Sequence, residues 1–375
     1  MKYNKSNNID VKKENRNRIY KLICEKERIS KPEIAYLLGI SMPTVMQNVK
    51  SLQDEGLVEE AGVLGSTGGR KAVAISCVEN ARYAIGVDIT RNHISTVLIN
   101  LTGNIVESIR VSKKYQNTLD HAQEMGKLID NVIEKSGINP SKILGVGISL
   151  PGILSDDGLT LVSSYVLQVT NERFANYQNY IKYPYLLCND ANAAGIAEMW
   201  NRNTLKNAIY LSLSNTVGGS ILLDNKIYLG ENQRGGEFGH MTIERNGLQC
   251  YCGKKGCLDT YCSALVLAEH TNGNLADFFD LLKKGDRKIE AVWEKYLDYL
   301  ATAVNNLRMF FDCSIILGGY VGAYIDEYMD KLKGYIANLN TFEMDGNYVQ
   351  VCHYKREAAA VGAALLHIKP FIDNI

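Results

Sequence analysis

Residues 30–52 read SKPEIAYLLGISMPTVMQNVKSL, and the fold of the N-terminal part of the chain turns on this stretch. Ser30-Lys31-Pro32-Glu33 has the form of a capping box. The Ser30 hydroxyl can accept from the Glu33 amide, the Glu33 side chain can reach back, and Pro32 sits where no amide donor is needed. The short helix so opened carries Ile34, Leu37 and Leu38 and is expected to turn them inward. Gly39 permits a sharp turn, and Ser41 is a good cap for a second helix with Pro43 in its first turn. Val45, Val49 and Leu52 are spaced by four and three, so they share one face. Thr44, Gln47, Asn48 and Lys50 are then expected to point away from the core.

Working outward, Glu14 to about Glu27 reads as a preceding helix with Ile19, Leu22 and Ile23 on one face. Gly56-Leu57-Val58 starts a strand, and the loop GSTGGRKAVAIS leads into another. Two short helices joined by a glycine turn form a helix-turn-helix, and the hairpin makes it winged. Single capped helices also occur in small docking modules; the whole order, with its GGRK tip, points to DNA. Residues 1–80 are thus expected to be a DNA-binding domain. Ser41, Thr44, Gln47, Asn48 and Lys50 are placed for a major groove, and Arg70 and Lys71 of the wing for a minor groove.

Charge agrees. The chain has 375 residues and a formal net charge of zero. Residues 1–50, however, hold eleven Lys and Arg against five Asp and Glu, a net of about +6. A basic module on a mildly acidic body suits nucleic-acid binding at one end and excludes wholesale coating of the molecule. The N-terminus has no apolar signal region and no run of 18 apolar residues occurs, so neither secretion nor membrane insertion is expected. The nine cysteines, several in apolar stretches (Cys24, Cys188, Cys313), point to a reducing cytoplasm.

From Ala81 the pattern changes. RYAIGVDI, HISTVLIN and NIVESIR read as three strands with short turns, then a helix around 119–136 and the strand ILGVGISL. A further strand ends at Asn189-Asp190, where a helix opens. AIYLSLS, GGSILLD and KIYLG repeat the theme, and SIILGG and REAAAVGAALLHI close it. Two such halves facing a cleft predict an α/β domain over residues 81–375.

One cluster stands apart. His240, Cys250, Cys252 and Cys257 fall within 18 residues, with Gly253 and Gly256 free to let the loop wrap an ion. One imidazole and three thiolates suit a closed tetrahedral structural zinc site over residues 240–257. Cys262 is a rival fourth thiol, but one turn along the next helix it is expected to pack instead.

The segments GGEFGHM, CYCGKKGC and CNDANAAGIAE, together with the helix-turn-helix, resemble the ROK family (repressors, open reading frames and kinases) over nearly the whole chain, most closely its xylose and N-acetylglucosamine repressor type. The resemblance implies an actin-like, two-lobed sugar-kinase (ribonuclease H-like) domain binding a sugar between its lobes, and homodimers or dimers of dimers. It implies that Asp190 stands at the catalytic-base position and that Asn189, Glu237 and His240 contact sugar. Pro151 and Gly152 match the turn lining the pocket. Asp259 stands where the family usually has Glu, a shorter arm. The stretch SSYVLQVTNERF replaces the family's usual asparagine-bearing sugar loop, which leaves the sugar open.

Phosphoryl transfer needs backbone amides and cations around the phosphates and magnesium. The family's kinases carry glycines after the first aspartate; here the run is Asp88-Ile89-Thr90-Arg91-Asn92-His93, and the second loop is Leu213-Ser214-Asn215-Thr216-Val217-Gly218-Gly219-Ser220. Without the first pair of glycines a close backbone approach to phosphate is obstructed. The expectation is a non-catalytic, sugar-responsive regulator that binds operator DNA, with an ATP-dependent hexose kinase as the alternative.

Overall fold

The computed structural model describes residues 8–64, 72–155, 157–202 and 205–375. The N-terminal segment opens with helix α1 (Asn8–Lys26), and strand β1 (Ile29–Ser30) leads into α2 (Lys31–Leu38). Ser30 Oγ accepts from the Glu33 amide at 3.3 Å, and Gly39 ends α2 in the left-handed region at φ 63°. Ser41 caps α3 (Met42–Asp54), whose Val45, Val49 and Leu52 are fully buried. Strands β2 (Val58–Val63) and β3 (Val73–Cys77) complete an antiparallel sheet of order β1-β3-β2. Leu37 departs from expectation: it is 47% exposed, and of the three residues of α2 expected inward only Ile34 is fully buried. An eight-residue helix meets its neighbours along a stripe too narrow to take both Ile34 and Leu37. The expected wing tip at Arg70 and Lys71 lies outside the described residues.

The rest of the chain forms two lobes on one plan. In the first, β4 (Tyr83–Ile89), β5 (His93–Asn100) and β6 (Ile105–Ser112) run antiparallel. After α4 (Leu119–Ser136), β7 (Ile143–Leu150) joins β4 in parallel. A small sheet of β8 (Ile153–Leu154), β9 (Thr160–Ser164) and β10 (Val169–Arg173) follows, and the divergent SSYVLQVTNERF stretch is its β9–β10 hairpin. Strand β11 (Tyr185–Asn189) then adds to β7 and hands over to α5 (Asp190–Trp200).

The second lobe repeats the plan. Strands β12 (Ala208–Leu213), β13 (Val217–Leu223) and β14 (Lys226–Ile227) run antiparallel. The cysteine-rich loop and helices α6 (Asp259–Cys262), α7 (Ala264–Ala268), α8 (Leu275–Lys283) and α9 (Arg287–Phe311) come next. Strand β15 (Ser314–Gly318) joins β12 in parallel, α10 (Gly319–Gly322) and α11 (Met329–Leu339) intervene, and β16 (Val349–Val351) closes the sheet. The orders β6-β5-β4-β7-β11 and β14-β13-β12-β15-β16 correspond strand for strand. Helix α12 (Ala358–Asp373) then returns to the first lobe.

Helices α5 and α12 pack on each other between the lobes. Their small residues let backbones touch: a Cβ on Gly362 would lie 1.6 Å from the Ala193 carbonyl oxygen, and α12 lies as close to β7, where a Cβ on Gly147 would lie 1.9 Å from the Ala363 carbonyl oxygen. Such contact leaves no slack for larger side chains. The core of the N-terminal segment (Ile19, Ile23, Val49, Leu52) continues without a break into Ala84, Val361 and Ile368. No described helix is long and apolar enough to cross a membrane.

Candidate functional site

The two sheets end at a narrow cleft between the lobes. Asp88 lies one residue before the end of β4, Asp190 opens α5, and both line it with Thr90, Arg91, Pro151 and Val166 from the first lobe. Tyr210, Ser212, Ser214, Asn215, Thr216 and Gly319 come from the second.

Asp190 sits where a helix N-terminus favours the anion, and its Oδ1 accepts from the Ala191 amide at 2.9 Å. Burial nevertheless pushes its carboxyl up to about 7, helped by the neighbouring negative charges of Asp88 and Glu237. Burial likewise raises Asp88, partly offset by the Ser149 hydroxyl, which donates to Asp88 Oδ1 at 2.6 Å. Two carboxyls in one low-dielectric site resist ionising together. The pair can accept several ligand hydroxyl hydrogens, or hold one proton between them.

Asn189 is fully engaged. Its Oδ1 caps α5 by accepting from the Asn192 amide at 2.9 Å, and its Nδ2 donates to the Gly152 carbonyl at 3.0 Å. This ties the Pro151-Gly152 turn to the first turn of α5. Gly152 has φ 134°, and a Cβ there would meet the Ser163 carbonyl oxygen at 2.4 Å, so only glycine fits. Pro151 lines the cleft itself.

Glu237 is exposed, just before the short helical turn Phe238–His240. Asp259 is buried, and its Oδ1 accepts from the Val217 amide at 2.6 Å. The shorter arm is thus used to fix the start of β13.

The loop 240–257 brings one nitrogen and three sulfurs together. Ligand atoms of His240, Cys250, Cys252 and Cys257 all lie within 4.8 Å of one another. Cys252 Sγ and Cys257 Sγ are 3.7 Å apart, and Cys250 Sγ is 3.9 Å from His240 Nδ1. A tetrahedral zinc with its usual bond lengths needs ligand separations of about 3.4–3.8 Å. The donor set and its spacing fit zinc, which would cross-link the loop when bound. Cys262 is buried elsewhere, with its Sγ on the Tyr296 carbonyl. Glycine is required at position 256, φ 78°, where a Cβ would lie 1.7 Å from the Glu244 carbonyl oxygen.

Several residues at the site were not visible as such in the sequence. Tyr251, between two cysteines, places its hydroxyl 3.4 Å from His240 Nε2, which would orient the imidazole from behind. Its ring also meets Tyr165 of the β9–β10 turn at 5.3 Å, which joins the cysteine loop to the opposite lobe. Lys355 and Arg356 line the cleft. They are held there by Glu198, a fully buried carboxylate on α5 that accepts from the His353 amide at 2.8 Å and the Tyr354 amide at 2.9 Å and pairs with Arg202. The only local cue was the charged pair Lys355-Arg356 just ahead of an alanine-rich helix.

At the other end of the molecule, Gln47 and Lys50 are exposed on α3. Ser41 and Thr44 share a hydroxyl–hydroxyl hydrogen bond of 2.8 Å, and Asn48 Nδ2 donates to the Thr44 carbonyl at 2.8 Å. Ser41 and Thr44 are thus bonded to each other at the helix start, and Asn48 uses one amide N–H on the backbone a turn before it. Helix α1 is fastened to the end of α12: Lys21 pairs with Asp373 at 2.6 Å, Lys13 donates to Asn374, and Asn17 donates to the Ile372 carbonyl.

Comparison with known proteins agrees with this geometry. Residues 12–59 match the family model of winged helix-turn-helix DNA-binding domains, and residues 84–369 match that of the ROK family. The xylose repressor of Bacillus subtilis is 26% identical over 97% of each chain. The DNA-binding transcriptional dual regulator NagC of Escherichia coli is 26% identical over 74% of this chain and 68% of its own. Among solved structures, a ROK family transcriptional regulator homologous to the Escherichia coli MLC protein superposes with a TM-score of 0.75 at 20% identity, over 97% of both chains. A ROK family glucokinase from Streptomyces griseus, in complex with glucose and AMPPNP, gives 0.62 at 21% identity over 76% of this chain and 98% of its own. With a family match across most of its length, behind an N-terminal winged helix-turn-helix, the chain belongs to the ROK family.

Proposed function

We propose that this protein is a sugar-responsive DNA-binding transcriptional regulator, a repressor of carbohydrate-use genes, that binds a sugar or sugar derivative in the interlobe cleft. The observation that carries the reading is the path of α12. The segment that leads into it, and its first residues, line the cleft at Lys355, Arg356, Ala358 and Ala359, and its last turn holds α1 of the helix-turn-helix through Ile372 and Asp373. Sixteen helical residues span about 24 Å as one rigid element. The names of the xylose and N-acetylglucosamine repressors among its relatives support the assignment.

Asp190, Asn189, Pro151, Gly152, Glu237, His240 and Asp259 are the proposed sugar-site residues. Asn189, Gly152 and Asp259 act by shaping the cleft, since their polar groups or space are already taken. Zinc, held by His240, Cys250, Cys252 and Cys257, would cross-link the loop that His240 opens, next to Glu237. Ser41, Thr44, Gln47, Asn48, Lys50, Arg70 and Lys71 are the proposed DNA face. Two copies are needed to read two half-sites about 34–36 Å apart. Sugar changes DNA affinity only as far as it binds one lobe arrangement better than the other.

The test is fluorescence anisotropy of the full chain on a duplex selected from a random library, titrated with xylose, glucose, N-acetylglucosamine and their phosphates. One sugar is expected to change the DNA dissociation constant at least about tenfold. If no sugar moves it while DNA binding is intact, the reading fails.

Retention of Asp190 with its carboxyl raised to about 7, near the ideal for a general base at neutral pH, favours the kinase as second reading. Against it stands Arg91 in place of a glycine cradle. ATP-dependent sugar phosphorylation abolished by Asp190→Asn would establish it.

A further inference from the structure

Helix α3 exposes an apolar residue in the middle of its outward surface. Met46 is 54% exposed and belongs to none of the buried clusters, whereas Val45 and Val49 on either side are fully buried. The polar residues that sequence patterning places on this face each make a bond within the protein: Ser41 with Thr44, Asn48 with the Thr44 carbonyl, and Ser51 with Arg16 at 3.1 Å. The exposed residues of the helix are Met42, Pro43, Met46, Gln47, Lys50 and Asp54. Met46 is thus the bulky apolar side chain at the middle of this exposed surface, with Met42 and Pro43 before it and Gln47 beside it.

A phosphate offers nothing to a thioether, and a long apolar side chain on a water-facing helix gains nothing until something dry covers it. In a major groove the one apolar projection is the C5-methyl of thymine. Methionine, unbranched and polarizable, can follow that methyl along the groove floor. The surroundings select nucleic acid as the occupant: Lys50 lies one turn on, Gln47 is adjacent, and the first 50 residues carry a net charge of about +6. We infer that Met46 reads a thymine methyl group in each half-site, with Gln47 beside it free to pair with an adenine edge. This rests on the DNA-binding reading above and adds to it the base that the centre of the helix recognises.

The experiment uses the full-length protein and a random duplex library. Duplexes enriched by the wild type are resynthesised with each thymine in turn replaced by deoxyuridine, which deletes only the methyl. One thymine per half-site is expected to lose about fourfold in affinity, the worth of one buried methyl group. Met46→Ala should bind more weakly and be indifferent to that replacement, and Met46→Leu should keep the sensitivity. Because Met46 is half exposed, these variants should melt with the wild type; Met46→Gln, which keeps the length, is the second indifferent variant. The inference is overturned if no deoxyuridine replacement weakens wild-type binding, or if Met46→Ala stays as sensitive as the wild type. A library that enriches no sequence removes the DNA-binding reading itself, and this inference with it.

Discussion

Asp190 is pulled both ways. The α5 N-terminus and the Ala191 amide favour its anion, while burial and the charge of Asp88 favour the acid and prevail, raising it from an ordinary value of 3.8 to about 7. Between those values the folded protein keeps a proton that the unfolded chain releases, so stability falls as pH rises from about 4 to 7 and is level above. Asp190→Asn should remove this slope. Its melting temperature should exceed that of the wild type at pH 8, and the gap should close as pH falls towards 4. The same substitution should weaken sugar binding at pH 8 at least about tenfold, because an amide in that place accepts fewer hydroxyl hydrogens. Scanning calorimetry and sugar titration at the two pH values check both. A gap that does not narrow on acidification would show that Asp88, and not Asp190, holds the proton.

At the scale of elements, the 240–257 loop is a segment whose four clustered side chains could add to its stability by holding a metal. Beyond the turn Phe238–His240 it has no helix or strand of its own. The bridges of Thr242 with Cys257 and Gln249 with Lys255, and turn bonds such as Cys250 N–H to the Lys254 carbonyl and Gly256 N–H to the Leu248 carbonyl, order its backbone, and its middle is largely polar. A structural zinc contributes folding energy outright to such a segment. Cys257→Ser should abolish a zinc content of one per chain by elemental analysis and lower the melting temperature by at least about 5 °C. Since His240 would lose its anchor, sugar binding should fall as well. Unchanged melting with no zinc in the wild type would show that the four side chains form a thiol cluster and nothing more. That these four side chains would meet was legible from their spacing because the loop is short. Tyr251 as the partner behind His240 was not, because side-chain direction in a loop follows from its path.

For the whole molecule, the question is how a cleft speaks to a helix-turn-helix. The fastening of α1 to α12 by Lys21–Asp373, by Asn17 on the Ile372 carbonyl and by the shared apolar core offers one route. Double substitution Asn17→Ala with Asp373→Ala is expected to leave sugar stabilisation of the sensor domain intact. It should cut the sugar-induced change in DNA affinity at least about threefold. Paired thermal-shift and anisotropy measurements separate these effects. Full coupling retained in the double variant would place the route elsewhere, for instance through the apolar contacts.

The order of capped helices, the repeated strand pattern and the His-Cys spacing could all be read from the chain, because each depends on neighbours within about twenty residues. Ser30, Ser41, Gly39 and Asn189 declare helix ends wherever they stand, and Val45, Val49 and Leu52 declare a face by period. Only the tertiary structure decided that Leu37 faces solvent, that Glu198 reaches His353 and Tyr354, and that α12 joins cleft to DNA-binding helices. Those outcomes depend on which surfaces meet after chain segments 100 residues and more apart have packed. A local pattern can say that a residue is apolar or charged; which neighbour it finds is settled by packing in three dimensions.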